Sequence, residues 1–187
     1  MTSLTIKNMV CNRCVLAVKQ TLEQLNIPYK HISLGEAEFL ADITPDQKVK
    51  LDEALHRLGF EILDDKKAKL IERIKVLIID CVHHQNGEMR YNLSEMISSE
   101  ILHDYNYLSN LFSEVEGTTI EKYYIAQKIE KVKELLVYDE LTLSEIAFKL
   151  NYSSTAHLSN QFKKITGMTP GNFRKYNQNL RKALDKI

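Results

Sequence analysis

Along the first 65 residues, apolar positions recur with two alternating spacings. In SLTIKNM (3–9), Leu4 and Ile6 alternate with Thr5 and Lys7, which predicts a half-buried strand. From Cys14, Val15, Val18, Leu22 and Leu25 fall on one helical face. YKHISLG and EAEFLAD alternate again and read as two strands joined in a hairpin at Gly35-Glu36. Thr44-Pro45 opens a second helix, with Thr44 as cap and Pro45 in the first turn. Leu51, Leu55 and Leu58 form its expected buried face, Gly59 stops it, and FEILDD is the last strand. The order β-α-β-β-α-β is the ferredoxin-like arrangement.

The charged run DDKKAK (64–69) marks a junction between expected domains 1–65 and 66–187. Beyond it the spacing is helical throughout, with turns expected near Gly87, Gly117, Asp139, Asn151 and Gly167. The chain is therefore expected to be α+β: a small N-terminal ferredoxin-like domain followed by an all-α domain.

The helical part repeats itself. Displaced by 50 positions, residues 93–119 and 143–169 are identical at nine of 27 places, where chance gives about two. Each copy reads as a short amphipathic helix, a tight turn and a second helix, so two helix-turn-helix motifs are expected at about 93–117 and 143–167. In the second, Ile146, Ala147 and Leu150 face inward, Asn151 takes a left-handed turn, Ser153 or Ser154 caps, and Leu158, Phe162 and Ile165 anchor the second helix. A helix over about 120–136 joins the copies. At roughly 25 Å it suits two reading helices spaced about one DNA turn apart.

The stretch LTLSEIAFKLNYSSTAHLSNQFKKITGMTPGNFRKY resembles the DNA-binding domain of the AraC/XylS family of bacterial transcription regulators. It matches the family pattern at Ile146-Ala147, Phe162-Lys163-Lys164, Gly167, Thr169-Pro170 and Phe173-Arg174. It departs at the turn, where Asn151-Tyr152 stands for Gly-Phe. The resemblance, over about 70–176, implies two motifs that enter successive major grooves of double-stranded DNA.

On the second reading helix the exposed face is expected to carry Thr155, Ala156, His157, Ser159, Asn160 and Lys163. Asn pairs in bidentate fashion with adenine, and Ser and Thr serve several bases. Lys163, Lys164, Arg174 and Lys175 are candidates for phosphate. The equivalent first face holds Tyr105, Asn106, Ser109, Asn110 and Ser113. Both copies present Ser-Asn, which predicts an A·T preference at both half-sites. The first copy, however, has Ser113 for Lys163 and ends on Glu114 and Glu116, which repel phosphate, so it is expected to bind weakly or to depend on its neighbour. A motif pair kept only as scaffold is the competing reading.

Charge sharpens this picture. The chain is neutral overall, with 25 Lys+Arg and 25 Asp+Glu. Residues 1–65 carry 7 basic and 10 acidic side chains, whereas 140–187 carry 8 and 3. A basic end on a neutral chain is a local signal for a polyanion. No stretch approaches a membrane span, and no signal peptide is evident. Three cysteines make a disulfide framework improbable and point to a reducing cytoplasm.

Two of those cysteines form the motif MVCNRC at the end of the first strand, where a helix begins. A helix N-terminus lowers thiol pKa. Two thiolates without further ligands suit Cu(I) rather than Zn²⁺, which takes four. Met9, Cys11 and Cys14 within this β-α-β-β-α-β pattern resemble the metal loop of the heavy-metal-associated domains of copper chaperones and metal-exporting ATPases, with Asn8 in place of the family's Gly. The Leu58-Gly59-Phe60 turn fits as well, with Phe60 expected near the loop. The resemblance covers about 2–64 and implies Cu(I) or another soft ion at Cys11 and Cys14. A thioredoxin-like redox pair and idle cysteines in a docking module are the alternatives. Cys81 is expected in the core and His83-His84 at a solvated helix end.

No nucleophilic triad, phosphate loop or paired-acid motif stands out, so an enzyme is not expected. The reading is a DNA-binding transcription regulator responsive to a soft metal, with a second copy of the chain as a candidate partner. A metal chaperone or interaction module whose helices do not bind DNA is the alternative.

Overall fold

The computed structural model describes residues 3–85, 92–176 and 182–187. The chain divides between Val76 and Leu77 into two compact units. The turn expected near Gly87 lies outside the described residues.

The first unit holds β1 (Ser3–Lys7), α1 (Asn12–Gln24), β2 (Tyr29–Ser33), β3 (Glu36–Phe39), α2 (Pro45–Arg57) and β4 (Glu61–Leu63). The strands form one sheet in the order β2-β3-β1-β4, every neighbour antiparallel. Its buried face carries Leu4, Ile6, Ala37 and Phe39, packed against Val18 and Leu22 of α1 and Leu51 and Leu55 of α2. Each fully buried apolar side chain of this size stabilises by roughly 1.5–3 kcal/mol. Thr44 caps α2 in a reciprocal capping box with Gln47, and Pro45 occupies the first turn. Leu58, expected inside, is 53% exposed. It is the C-terminal cap of α2, one residue past the last turn that packs on the sheet.

The helix α3 (Lys66–Ile79) opens at the charged stretch. Within the first unit its Glu72 carboxylate, only 6% exposed, accepts the Asn8 N–H at 3.0 Å. Its Val76 lies against the β2–β3 hairpin so closely that a Cβ on Gly35 (φ +75°) would fall 2.9 Å from Val76 Cγ2. Only glycine meets both demands at that turn.

The second unit opens with a π-turn, Asp80–His84, followed by α4 (Leu93–Ile101), α5 (Tyr105–Glu116), α6 (Ile120–Tyr138), α7 (Leu143–Lys149), α8 (Thr155–Thr166) and α9 (Pro170–Tyr176). The 50-residue repeat is visible in its physics. Asn92 and Thr142 cap the first helices, Asp104 and Ser154 cap the second, and Gly117 and Gly167 end them in the left-handed region. Leu108 and Phe112 are fully buried, as are Leu158 and Phe162. The repeat extends one helix further. Phe112 meets Tyr123 of α6 at 5.7 Å between centroids, and Phe162 meets Phe173 of α9 at 5.4 Å, again 50 residues on. Asp139 and Asn151 also take left-handed turns where expected.

The two copies turn differently. Asn151 (φ +54°) makes the second turn cheaply, but the first uses Leu102 (φ +61°), a β-carbon-bearing apolar residue that is 85% exposed. Ile165, expected as an anchor, is 47% exposed, because α8 buries only Leu158 and Phe162.

The connecting helix α6 has 19 residues, about 28 Å. It buries a polar belt. Glu130 accepts from Lys133 Nζ at 2.9 Å and from the Lys182 N–H at 2.6 Å. Gln127, fully buried, donates to the Tyr123 hydroxyl and to the Leu184 carbonyl. His83, expected at a solvated end, instead shares a 2.9 Å hydrogen bond with Gln127 Oε1. The π-turn aims it inward, and burial pushes its pKa down to about 4, against the raising effect of Gln127. His83 is thus neutral in the fold and protonates first in the unfolded chain. Its contribution is complete above about pH 6.5 and is lost as pH falls toward 4. After a discount for partial exposure, this amounts to about 2 kcal/mol. Thermal unfolding across that window should show the loss, and His83→Gln should flatten it. An unchanged slope in the variant would refute the assignment.

Candidate nucleic-acid interface and thiol loop

Ser154 accepts the His157 N–H and fixes the start of α8. With Leu158 and Phe162 turned inward, Thr155, Ala156, His157, Asn160, Lys163 and Lys164 are exposed and Ser159 is half-buried. Lys175 of α9 is exposed as well. His157 does not stand alone: its Nδ1 lies 3.0 Å from Ser153 Oγ, and its ring meets the edge of Tyr152 at 5.4 Å.

Tyr152 is a hub. It is 8% exposed, and its hydroxyl donates to Gln161 Oε1 at 2.8 Å. Lys128 of α6, 7% exposed, places its ammonium 3.9 Å from the Tyr152 ring centre and 5.4 Å from that of Tyr124. Burial lowers the Lys128 pKa to about 8, partly offset by Cys81, which keeps the cation largely intact at neutral pH. Burial raises the Tyr152 pKa, so its hydroxyl keeps its proton to donate. Tyr152 and Gln161 were not among the sequence-expected contacts. The sequence signal was the departure from Gly-Phe at the turn.

Arg174 departs from expectation. Its Nη2 donates to the Leu141 carbonyl at 2.6 Å, and its Nε lies 3.0 Å from Asp139 Oδ1. That Nε is buried and makes no aligned hydrogen bond, so the ion pair is a close Coulombic contact rather than a directed bond. Arg174 therefore bridges to the α6–α7 turn. Arg174→Ala should lower stability by about 1–2 kcal/mol while the salt dependence of DNA binding stays as in wild type. A slope reduced by about one would restore Arg174 as a phosphate contact.

On α5, Asn106 and Asn110 are exposed and Ser109 and Ser113 half-buried. Tyr105 is half-buried, its hydroxyl donated to Glu121 Oε1 at 2.5 Å, so it is committed within the protein. Residues 93–117 carry five acidic side chains and no Lys or Arg, whereas 143–167 carry one acidic and three basic.

In the first unit, Cys11 caps α1 and Cys14 lies in its first turn, their sulfurs 3.6 Å apart. Burial works to raise the Cys11 pKa, but the N–H of Cys14, the Cys14 side chain and Arg13 outweigh it and lower it; burial raises that of Cys14. Asn8 has φ +71°, and its side-chain amide donates to the Gly59 carbonyl at 2.9 Å. The loop is thereby tied to the α2–β4 turn. Met9, Phe60 and Cys14 share one apolar cluster. Among the described residues no group of three or more His, Cys, Asp or Glu converges as a metal site. Cys81 is buried, as expected. No described helix is long and apolar enough to cross a membrane.

Comparison with known proteins bears on the second unit. Residues 103–176, from α5 through α9, match a family described as a helix-turn-helix domain. The chain is 30% identical over 103 residues to the uncharacterized HTH-type transcriptional regulator YtdP of Bacillus subtilis, covering 55% of this chain and 13% of that one. It is 24% identical over 122 residues to LumQ, a probable transcriptional regulator of Photobacterium leiognathi, covering 65% and 48%. The chain thus spans less than half the length of these relatives. In structure, it is similar to the C-terminal domain of AraT, a response regulator from Geobacillus stearothermophilus, with TM-score 0.52 and 22% identity over 64% of this chain and 94% of that one. Residues 103–176 therefore match a helix-turn-helix domain, and the helical unit that holds them shares its fold with the C-terminal domain of AraT.

Proposed function

We propose that this chain is a DNA-binding transcription regulator of the AraC type, whose second motif makes the main contact with double-stranded DNA. One observation carries the reading: a doubled helix-turn-helix, repeated in its caps, anchors and ring pairs, that leaves a Ser-Asn-Lys face open on α8. Asn160, Ser159, His157 and Thr155 are the base-facing groups, with Ala156 offering an apolar contact to a thymine methyl. Lys163 and Lys164 lie against phosphate. Asn106, Ser109 and Asn110 are the corresponding groups of the first motif, weakened by the acids around them. Binding to duplex DNA should fall steeply as salt rises, with a log–log slope set by several released counterions. No binding, or binding indifferent to salt, would leave the helices as an interaction scaffold.

The thiol loop supports a second element of this proposal. Two sulfurs at 3.6 Å, with no group of three or more His, Cys, Asp or Glu converging among the described residues, fit a soft ion of low coordination number, Cu(I) above all. Cys11 and Cys14 would hold it, and the ion would supply a change of charge and geometry at the loop. Asn8 and Glu72 hold the loop backbone in place. DNA affinity measured with and without Cu(I) under reducing conditions tests whether the loop is a sensor.

A further inference from the structure

We propose that Gln161 is a specificity-determining residue of α8, offered to DNA as a hydrogen-bond donor because the Tyr152 hydroxyl occupies its carbonyl oxygen. The inference rests on the reading that α8 enters a DNA groove. Gln161 lies on one helical stripe with His157, Asn160 and Lys164, at i, i+3, i+4 and i+7 spacing from His157. It is half-buried, so its amide is held near the protein surface rather than swept through solvent.

A free glutamine reads adenine by using both ends of its amide at once, the oxygen accepting from N6 and the nitrogen donating to N7. Here Tyr152 takes one lone pair of Oε1 at 2.8 Å and ties that end of the amide to the protein. The end left for a partner outside the protein is the NH2, which meets two acceptors at guanine, O6 and N7, but at adenine only N7, beside the N6 donor.

The orientation is not left to chance. Either end of a glutamine amide can bond a hydroxyl, so the direction depends on whether the phenol donates or accepts. Lys128, 3.9 Å from the ring centre, draws electron density from the phenol and makes its hydroxyl the better donor. The ring cannot swing away, since Lys128 covers one face and His157 meets its edge. Tyr152 and Lys128 are positioning residues: they act on DNA only through Gln161. A phenylalanine at the turn would fill the same space and leave the amide free to rotate.

The test profiles base preference on random duplex DNA with the full chain as wild type, Gln161→Ala and Tyr152→Phe, and measures thermal stability alongside. Wild type should favour guanine over adenine at one position of the second half-site. Gln161→Ala should flatten that position alone and cost about five- to tenfold in affinity for the best site. Tyr152→Phe should shift the same position toward adenine, with affinity for unrelated DNA and its salt slope unchanged. A merely structural Tyr152 would instead lower stability and affinity for all sequences equally. The inference is overturned if Gln161→Ala weakens all sequences equally, which is a phosphate contact, or if Tyr152→Phe leaves the profile as in wild type. A wild type that binds DNA with no sequence preference also overturns it while sparing DNA binding, and a wild type that binds no DNA overturns the parent reading with it.

Discussion

Lys163→Glu/Lys164→Glu should weaken binding to duplex DNA by about a hundredfold at physiological salt. Each lysine that neutralises a phosphate releases close to one counterion, so losing two contacts alone costs roughly thirtyfold near 0.15 M salt, and the introduced carboxylates add repulsion. Both side chains are exposed in the last turn of α8, away from the buried Leu158 and Phe162, so the fold should survive. The salt slope should shrink by about two. The first motif supplies the mirror experiment. It carries five acidic residues and no Lys or Arg between 93 and 117. If α5 faces the backbone, Glu114→Lys/Glu116→Lys should tighten binding by about tenfold or more and steepen the slope. Fluorescence anisotropy over a salt series reads both. A loss of less than threefold in the α8 variant would remove α8 from the DNA.

The repeat reached the structure nearly intact because its signals are local. A cap, a glycine past a helix end and a pair of apolar side chains four apart each act within a few residues, so the Ser154 cap, the turns at Gly117 and Gly167, and the Leu158-Phe162 pair were legible in the chain. The strands and α2 were legible for the same reason, through period-two alternation and the Thr44-Pro45 start. Leu58 and Ile165 were misread because periodicity locates a face but not where its partner surface ends. The polar belt of α6 escaped altogether. Gln127, Glu130 and Lys133 break the apolar period, and their burial depends on groups far along the chain, the Leu184 carbonyl and the Lys182 N–H.

The candidate site was legible in part. Residue type suggested which α8 side chains suit bases, and helical phase placed them outside. Partnerships were invisible. Arg174 carries the right charge for phosphate, and its bonds to Leu141 and Asp139, 33 and 35 residues back, could not be read from the chain. His83 carries the right position for a solvated helix end but is turned inward to a glutamine 44 residues on. For Gln161 the sequence offers only the departure from Gly-Phe nine residues back; Tyr152 and Lys128, brought together by the fold, give its amide a direction. In each case the side chain's chemistry is local and its availability is tertiary.

Cys11→Ser/Cys14→Ser should abolish Cu(I) binding, lowering affinity by more than about a thousandfold in competition with a chromophoric chelator under reducing, anaerobic conditions. Serine keeps size and hydrogen bonding but replaces two soft thiolates with hard, neutral hydroxyls that Cu(I) binds poorly. The fold should remain, because neither cysteine is fully buried and the loop is held by bonds that do not involve sulfur. Those bonds run from the Asn8 side-chain amide to the Gly59 carbonyl and from the Asn8 N–H to the Glu72 carboxylate. The two thiols also divide the work. Cys11, at the helix N-terminus and beside Arg13, is the one held toward the thiolate, while burial holds Cys14 toward the thiol. Metal uptake by thiolates should therefore release protons and weaken as pH falls. One-to-one binding by wild type with none by the variant makes the loop a metal site. If the variant's DNA affinity then ceases to respond to Cu(I), sensing runs through these two sulfurs. If wild type fails to compete with the chelator, the loop is a cysteine pair without a metal, and the DNA-binding half stands on its repeat alone.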